Sequence, residues 1–167
     1  MAVGISTRLA RPHDAAAIAR IYNEGIADRV ATFETEPRTI ADVEAWFTGD
    51  SQIVVAEDEH AIVAFASTSP YRSRPCYAGV AEFSVYVARA FRGRGAGTLV
   101  MAALLEQAEA AGSWKLVSRV FPENTASRSL LRKLGFREVG IYENHARLDG
   151  AWRDVVIVER LLPRNLT

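Results

Sequence analysis

The sequence predicts an α/β (α+β) fold, a mixed central sheet of about seven strands flanked by about four helices. Three observations carry that expectation. Apolar residues alternate in some segments and recur every three or four residues in others. The segments so identified follow the order β-αα-βββ-α-β-α-ββ, which mixes hairpins with crossovers. Asp149-Gly150, a dipeptide diagnostic of a tight hairpin turn, separates the last two strands. At 167 residues and 49% hydrophobic content, the chain suits one compact domain over residues 1–167.

In chain order, Ile5, Thr7 and Leu9 alternate like a short strand. Pro12 and Asp14 then open a helix whose apolar residues are Ile18, Ile21, Tyr22 and Ile26. Asp28 to Arg38 reads as a turn segment, and Thr39 with Asp42 caps a short helix through Phe47. Gln52 to Glu57 and Ala61 to Ser67 form a hairpin about Asp58-Glu59-His60. A loop rich in arginine and tyrosine, Tyr71 to Tyr77, leads to the strand Val80–Ala88. A long helix runs from Gly95 to about Gly112, Lys115 to Phe121 is a strand, and Thr125 to Leu134 is a helix closed by Gly135. Phe136 to Leu148 and Ala151 to Leu161 are the closing strands.

Composition excludes several classes of function. Twenty basic residues balance twenty acidic ones, so no broad nucleic-acid or anionic-membrane surface is expected. No stretch approaches the roughly 20 apolar residues of a membrane span, and Met1 to Thr7 lacks a leader pattern. Cys76 is the only cysteine, which excludes an internal disulfide and favours a reducing, cytoplasmic setting. Cys76 reads as a small packing residue rather than a nucleophile, with no histidine near it in sequence. His13, His60 and His145 lack ligand spacing, so no metal is expected.

The segment Arg92-Gly93-Arg94-Gly95-Ala96-Gly97 lies between a strand and a helix. Unpaired N–H groups and the positive end of the helix dipole make such a junction an anion site. Three alternate glycines keep side chains away from a phosphate, and Arg89, Arg92 and Arg94 add charge. A P-loop would need Lys then Ser or Thr after the last glycine, where Thr98-Leu99 stands. Thr98 and Val100 occupy the positions a dinucleotide fingerprint would give its third glycine. A plain glycine-rich turn remains the alternative.

Here the sequence resembles the GNAT acetyltransferases, whose cofactor loop reads Gln/Arg-x-x-Gly-x-Gly/Ala. Arg92, Gly95 and Gly97 match it, and Asn124, Ser127, Leu130 and Leu134-Gly135-Phe136 match a downstream Asn-x-x-Ser-x-x-Leu helix ending in Gly-Phe. The resemblance implies acetyl-CoA as acyl donor. It would be held by the backbone of Val85, Tyr86 and Val87, by the loop Arg92, Gly93, Arg94, Gly95, Ala96, Gly97 and Thr98, and by Asn124. Ser127 and Ser129 are further candidates, or ordinary residues of a helix N-terminus.

Three segments resemble the phosphinothricin and arsinothricin N-acetyltransferases within that family: Thr32 to Pro37, Ala81 to Val87, and Gly150 to Val155. That resemblance implies acetylation of the free α-amine of a glutamate-like toxic amino acid, conferring resistance, by a homodimer with Trp152 at its interface or buried in a strand. An α-ammonium must lose a proton before it attacks a thioester, and Glu82 resembles the branch's base. A β-bulge near Val85 would offer an N–H to the developing oxyanion. Arg72 and Arg74 would grip a carboxylate or phosphinate beside Tyr71 and Tyr77, or are solvated loop charges. Phe33 would wall the side chain, or simply pack, with Glu34 beside it. Leu131 stands where relatives carry Tyr or His to protonate the thiolate, and Leu148 and Asp149 where they carry Lys-His. Another free amino acid such as methionine sulfone or sulfoximine is an alternative substrate, and a non-catalytic acyl-CoA-binding module an alternative function.

Overall fold

The computed structural model describes residues 4–167, so Met1, Ala2 and Val3 of the segment inspected for a leader lie outside it. The elements are β1 (Ser6–Leu9), α1 (Ala15–Asp28), α2 (Ile40–Glu44), β2 (Ile53–Glu57), β3 (Ile62–Pro70), β4 (Val80–Val87), α3 (Ala96–Ala110), β5 (Lys115–Val120), α4 (Thr125–Lys133), β6 (Arg137–Leu148) and β7 (Ala151–Leu161). The seven strands form one mixed sheet in the order β1-β2-β3-β4-β5-β7-β6. Among the described residues only β4 and β5 run parallel. The seven strands and four α-helices among the described residues match the predicted class and element order.

Strand alternation divides the core into two layers. On one face, Val55, Phe65 and Tyr86 pack against Ile18 and Ile21 of α1 and Val43 of α2. On the other, Val54, Ala64, Phe83 and Leu116 pack against Val100, Met101 and Leu104 of α3 and Leu131 of α4. A smaller cluster of Phe121, Leu148 and Val155, with Phe33 against it, lies beneath the β6–β7 hairpin.

Local chemistry sets the boundaries. The predicted capping box closes at α2: Thr39 Oγ1 accepts from the Asp42 N–H (3.1 Å), and Asp42 accepts from the Thr39 N–H (2.8 Å). The α-helix then tightens into a 3-10 turn, Ala45–Thr48. Buried Asp14 joins Arg8 at 2.8 Å, and Arg8 reaches Glu57 at 3.0 Å, tying β1 to β2 and to the entry of α1. The guanidinium of Arg8 holds the Asp14 carboxyl below the usual carboxylate range. Asp149 (φ 50°) and Gly150 (φ 81°) both adopt the left-handed conformation that a two-residue hairpin turn requires.

Two expectations need correction. Ile5 precedes the strand, which begins at Ser6. Cys76 is exposed in a 3-10 turn, Pro75–Tyr77, so it fills no core space. Among the described residues no helix is long and apolar enough to cross a membrane. No group of three His, Cys, Asp or Glu is placed among them to hold a metal ion.

Candidate active site

β4 and β5 pair only from Val80–Glu82 to Lys115–Val117. Beyond that root β4 stays with β3 as far as Val87, while β5 stays with β7 as far as Val120, so the parallel pair splays. Ser118 Oγ donates to the Phe83 carbonyl (2.9 Å) where the strands part. A cavity of about 360 Å³ occupies the gap. Its lining comes from both layers, with Tyr22, Phe33, Glu82 and Arg119 on the α1 side and Leu131, Asn124 and Ser127 on the α4 side. The cavity therefore reaches both faces of the sheet beside β4.

The backbone of β4 faces this gap selectively. The Ala88 N–H bonds the Val63 carbonyl (2.8 Å), and hydrogen-bonded pairs alternate along an antiparallel ladder. Tyr86, opposite Phe65, therefore turns its peptide groups toward β3, whereas Phe83, Val85 and Val87 turn theirs toward the gap. The Val87 carbonyl receives Arg92 Nε at 3.3 Å. Two expectations change. Tyr86 offers no backbone group to a ligand in the gap; its ring is buried beside Tyr22 and Phe65, and burial pushes its phenol pKa up. The β3–β4 register runs without a shift from Ala64↔Val87 to Pro70↔Ala81, so there is no bulge at Val85. Strand splay, rather than a bulge, turns the Val85 N–H to the cavity.

Glu82 is the acidic side chain on the wall of the splay. It accepts from Arg119 Nη2 at 3.1 Å and is 30% exposed at the side chain, open enough to exchange protons with a ligand or water. Phe33 stacks edge-on against Phe121, with ring centroids 5.0 Å apart, so it both packs and lines the cavity. Glu34 also borders the cavity, although its carboxylate pairs with Arg38 at 3.1 Å. Leu131 is buried at the cavity wall and brings no proton donor there.

Other predicted residues lie elsewhere. Arg72, Arg74 and Tyr77 are not among the cavity's lining residues. Arg72 rests over the Tyr71 ring at 5.1 Å, and Tyr71 packs edge-on with Tyr77. Arg74 is exposed. The loop that holds them begins where β3 ends at Pro70, opposite Ala81. Asn124 caps α4, its Oδ1 accepting the Ser127 N–H (3.2 Å). Ser127 borders the cavity, while Ser129 is exposed away from it.

The glycine-rich loop leads into α3. Gly93 (φ 78°) and Gly95 (φ 86°) occupy the left-handed region, which side chains disfavour. The first intrahelical bond comes from Leu99 N–H to Gly95 carbonyl (3.2 Å), so the N–H groups of Ala96, Gly97 and Thr98 lead the helix without intrahelical acceptors. Those donors fit a diphosphate. Gly97 also has a packing task. A Cβ there would sit 2.7 Å from Leu130 Cδ1 and 3.3 Å from Val87 Cγ2, so the missing side chain allows α3 to close on α4 and β4. Arg92 binds Asp28 at 2.6 Å and Arg89 binds the same carboxylate at 2.7 Å. The two guanidinium groups, Arg89 foremost, hold the Asp28 pKa low. Arg94 lies over the Phe91 ring at 5.3 Å.

Arg119, Ser118, Phe121 and Tyr22 line the cavity unforeseen by sequence reasoning. A signal existed for one of them: Arg119 is the one charge within the strand segment Leu116 to Phe121, whose other residues are apolar except Ser118. Only the parallel pairing of β5 with β4 reveals that it shares a face with Glu82.

The family model described as Acetyltransferase (GNAT) family matches residues 18–136. The phosphinothricin N-acetyltransferase of Streptomyces coelicolor is 35% identical, over 85% of this chain and 87% of its own length. The L-methionine sulfoximine/L-methionine sulfone acetyltransferase of Pseudomonas aeruginosa is 31% identical, over 92% of each chain. A solved phosphinothricin acetyltransferase from Sinorhizobium meliloti, in complex with acetyl-CoA, superposes with a TM-score of 0.89 at 30% identity, covering 96% of this chain and 89% of its own.

Proposed function

The chain belongs to the GNAT acetyltransferase family, and from that premise we propose that it N-acetylates the free α-amine of a glutamate-like toxic amino acid, phosphinothricin or arsinothricin. At the coarser level it is an acetyl-CoA-dependent N-acetyltransferase acting on a small amino-acid-like substrate. The observation that carries the reading is the cavity passing between β4 and β5, with Glu82 on one side and the gap-facing backbone of β4 at its edge. Every part of it lies within the described residues 4–167.

Acetyl-CoA supplies an acetyl group activated as a thioester. Ala96, Gly97 and Thr98 N–H groups, with the turn of Gly93 and Gly95 and the charges of Arg92 and Arg94, hold its diphosphate. The gap-facing peptides of Val85 and Val87 align its pantetheine arm, with Asn124 and Ser127 on the far side. The Glu82 carboxylate takes a proton from the substrate ammonium, directly or through water, and frees the nitrogen lone pair. As the N–C bond forms and the C–S bond breaks, the Val85 N–H stabilises negative charge on the carbonyl oxygen. The acylated nitrogen gives its second proton to solvent and, with Leu131 at the wall, the departing thiolate takes a proton from solvent. Phe33 walls the substrate side chain, with Glu34 at the rim. Arg72, Arg74 and Tyr77, beyond the end of β3, steer an anionic amino acid inward.

Thiol release from acetyl-CoA across phosphinothricin, arsinothricin, methionine sulfone, methionine sulfoximine, common amino acids and peptides tests this. The reading expects the greatest kcat/KM on a glutamate-like analogue, and expression in a susceptible bacterium then confers resistance from the cytoplasm. Preference for the methionine derivatives would favour the second reading, which the Pseudomonas relative supports. Binding of acetyl-CoA without turnover of any amine would overturn both. We also propose a homodimer through the outer hairpin, where Val139, Ile141 and Tyr142 of edge strand β6 and Trp152 of its neighbour are each exposed. A monomeric mass in sedimentation at micromolar concentration would contradict it.

A further inference from the structure

We propose that Arg119 is the residue that recognises the substrate's α-carboxylate. The Glu82–Arg119 pair is then the charge complement of an amino-acid zwitterion. This rests on the amino-acid reading above and narrows it to substrates whose carboxylate is free.

Strand parity places the two side chains together. Glu82 pairs with Val117 across the root of the splay, and Arg119, two residues farther along β5, projects to the same face as Val117. Both line the cavity. Their contact is a single hydrogen bond, Arg119 Nη2 to Glu82 Oε1 at 3.1 Å. Among the described residues Arg119 makes no other side-chain hydrogen bond, so most of its planar donor fork is unused. The side chains are 48% and 30% exposed. A half-solvated ion pair of this kind contributes little to stability and is cheap to exchange.

An arginine fork matches a carboxylate with two parallel N–H donors. The ammonium of an incoming amino acid displaces Arg119 from Glu82, and its carboxylate replaces Glu82 on Arg119, so one weak internal pair becomes two charge-assisted contacts. The same move places the substrate nitrogen against the carboxylate that removes its proton. No bond other than hydrogen bonds changes in this exchange. Amines without a carboxylate, and peptides with an amide in its place, leave Arg119 unmatched. By contrast, Arg153 is engaged by Glu123 at 3.3 Å and lies over the Phe121 ring.

The test compares phosphinothricin and methionine sulfone with their α-carboxamides, which keep the side chain and amine but lose the carboxylate charge. The readout is the acid-to-amide ratio of kcat/KM in the wild-type protein, Arg119→Ala, Arg119→Gln and Arg119→Lys, with thermal melts to establish folding. The ratio is expected to fall roughly ten- to a hundredfold in the Ala and Gln variants and to recover in part with Lys. A structural role would lower acid and amide turnover equally, and an unchanged ratio in both folded variants overturns the assignment while leaving amino-acid acetylation intact. A ratio that instead collapses in Arg72→Ala or Arg74→Ala moves carboxylate recognition to that loop and overturns it too. Failure of the wild-type protein on every free amino acid overturns the function reading and this inference together.

Discussion

Gly79→Ala attacks the root from which β4 and β5 diverge. Gly79 is buried, its carbonyl accepts the Trp114 N–H at 2.8 Å, and β4 meets β5 one residue later at Val80↔Lys115. A Cβ on Gly79 would enter the Trp114 ring at Cε3, Cζ3 and Cδ2, the farthest of them only 2.5 Å away. Ordinary carbon contact is about 3.5–4.0 Å, so the ring or the strand root must move by roughly an ångström or more. Trp114 cannot retreat with its backbone bonded to Gly79, and swinging the ring into water exposes it. Overpacking of this kind costs about 1–3 kcal/mol. For a chain of 167 residues, that lowers Tm by about 2–12 °C. The assay is a thermal melt of Gly79→Ala, Trp114→Leu and the double variant. Because Leu lacks the ring that clashes, the double variant should be more stable than additivity predicts. An unchanged Tm in Gly79→Ala, or strict additivity, would refute the steric argument.

Three further outcomes follow from the geometry. Phe33→Ala removes an edge-on aromatic contact with Phe121 worth about 0.5–1.5 kcal/mol beyond area burial and opens the cavity; the KM for the amino acid should rise more than the KM for acetyl-CoA in steady-state kinetics. For Asp14, whose pKa is lowered first by the Arg8 hydrogen bond, the unfolded chain binds the proton more readily. Its stabilisation is therefore complete above the unfolded pKa of about 3.9 and disappears as pH falls through the folded value; urea melts of Asp14→Asn should show lower stability at pH 7 and a shallower acid loss than the wild-type protein. Gly97→Val meets Leu130 and Val87, so acetyl-CoA affinity by calorimetry should fall together with thermal stability.

Much of the scaffold was legible because short-range chemistry writes it locally. Thr39 and Asp42 announced a capping box and Asp149-Gly150 a hairpin turn, and each forms as read. The candidate site was legible where it lies on one element, as with Glu82 and Val85 on β4. It was obscure where it depends on two. Strand splay is a property of the β4–β5 pair, so no pattern along β4 alone marks the Val85 N–H and none along β5 alone marks Arg119. The same limit explains Tyr86, whose peptide direction follows from the β3 register, and Gly97, whose missing Cβ is explained by Leu130 on another helix. Arg72 and Arg74 looked like site residues because they are charged and near β4 in sequence, yet β3 and its following loop hold them away from the cavity lining.

The central claim is that acetyl transfer occurs in the gap between β4 and β5 with Glu82 receiving the amine proton. Steady-state kinetics of Glu82→Gln, with both substrates varied, tests it most directly. The account predicts kcat lower by about 10²–10⁴-fold with the KM for acetyl-CoA nearly unchanged. Retention of kcat, or a loss confined to acetyl-CoA affinity, would contradict it.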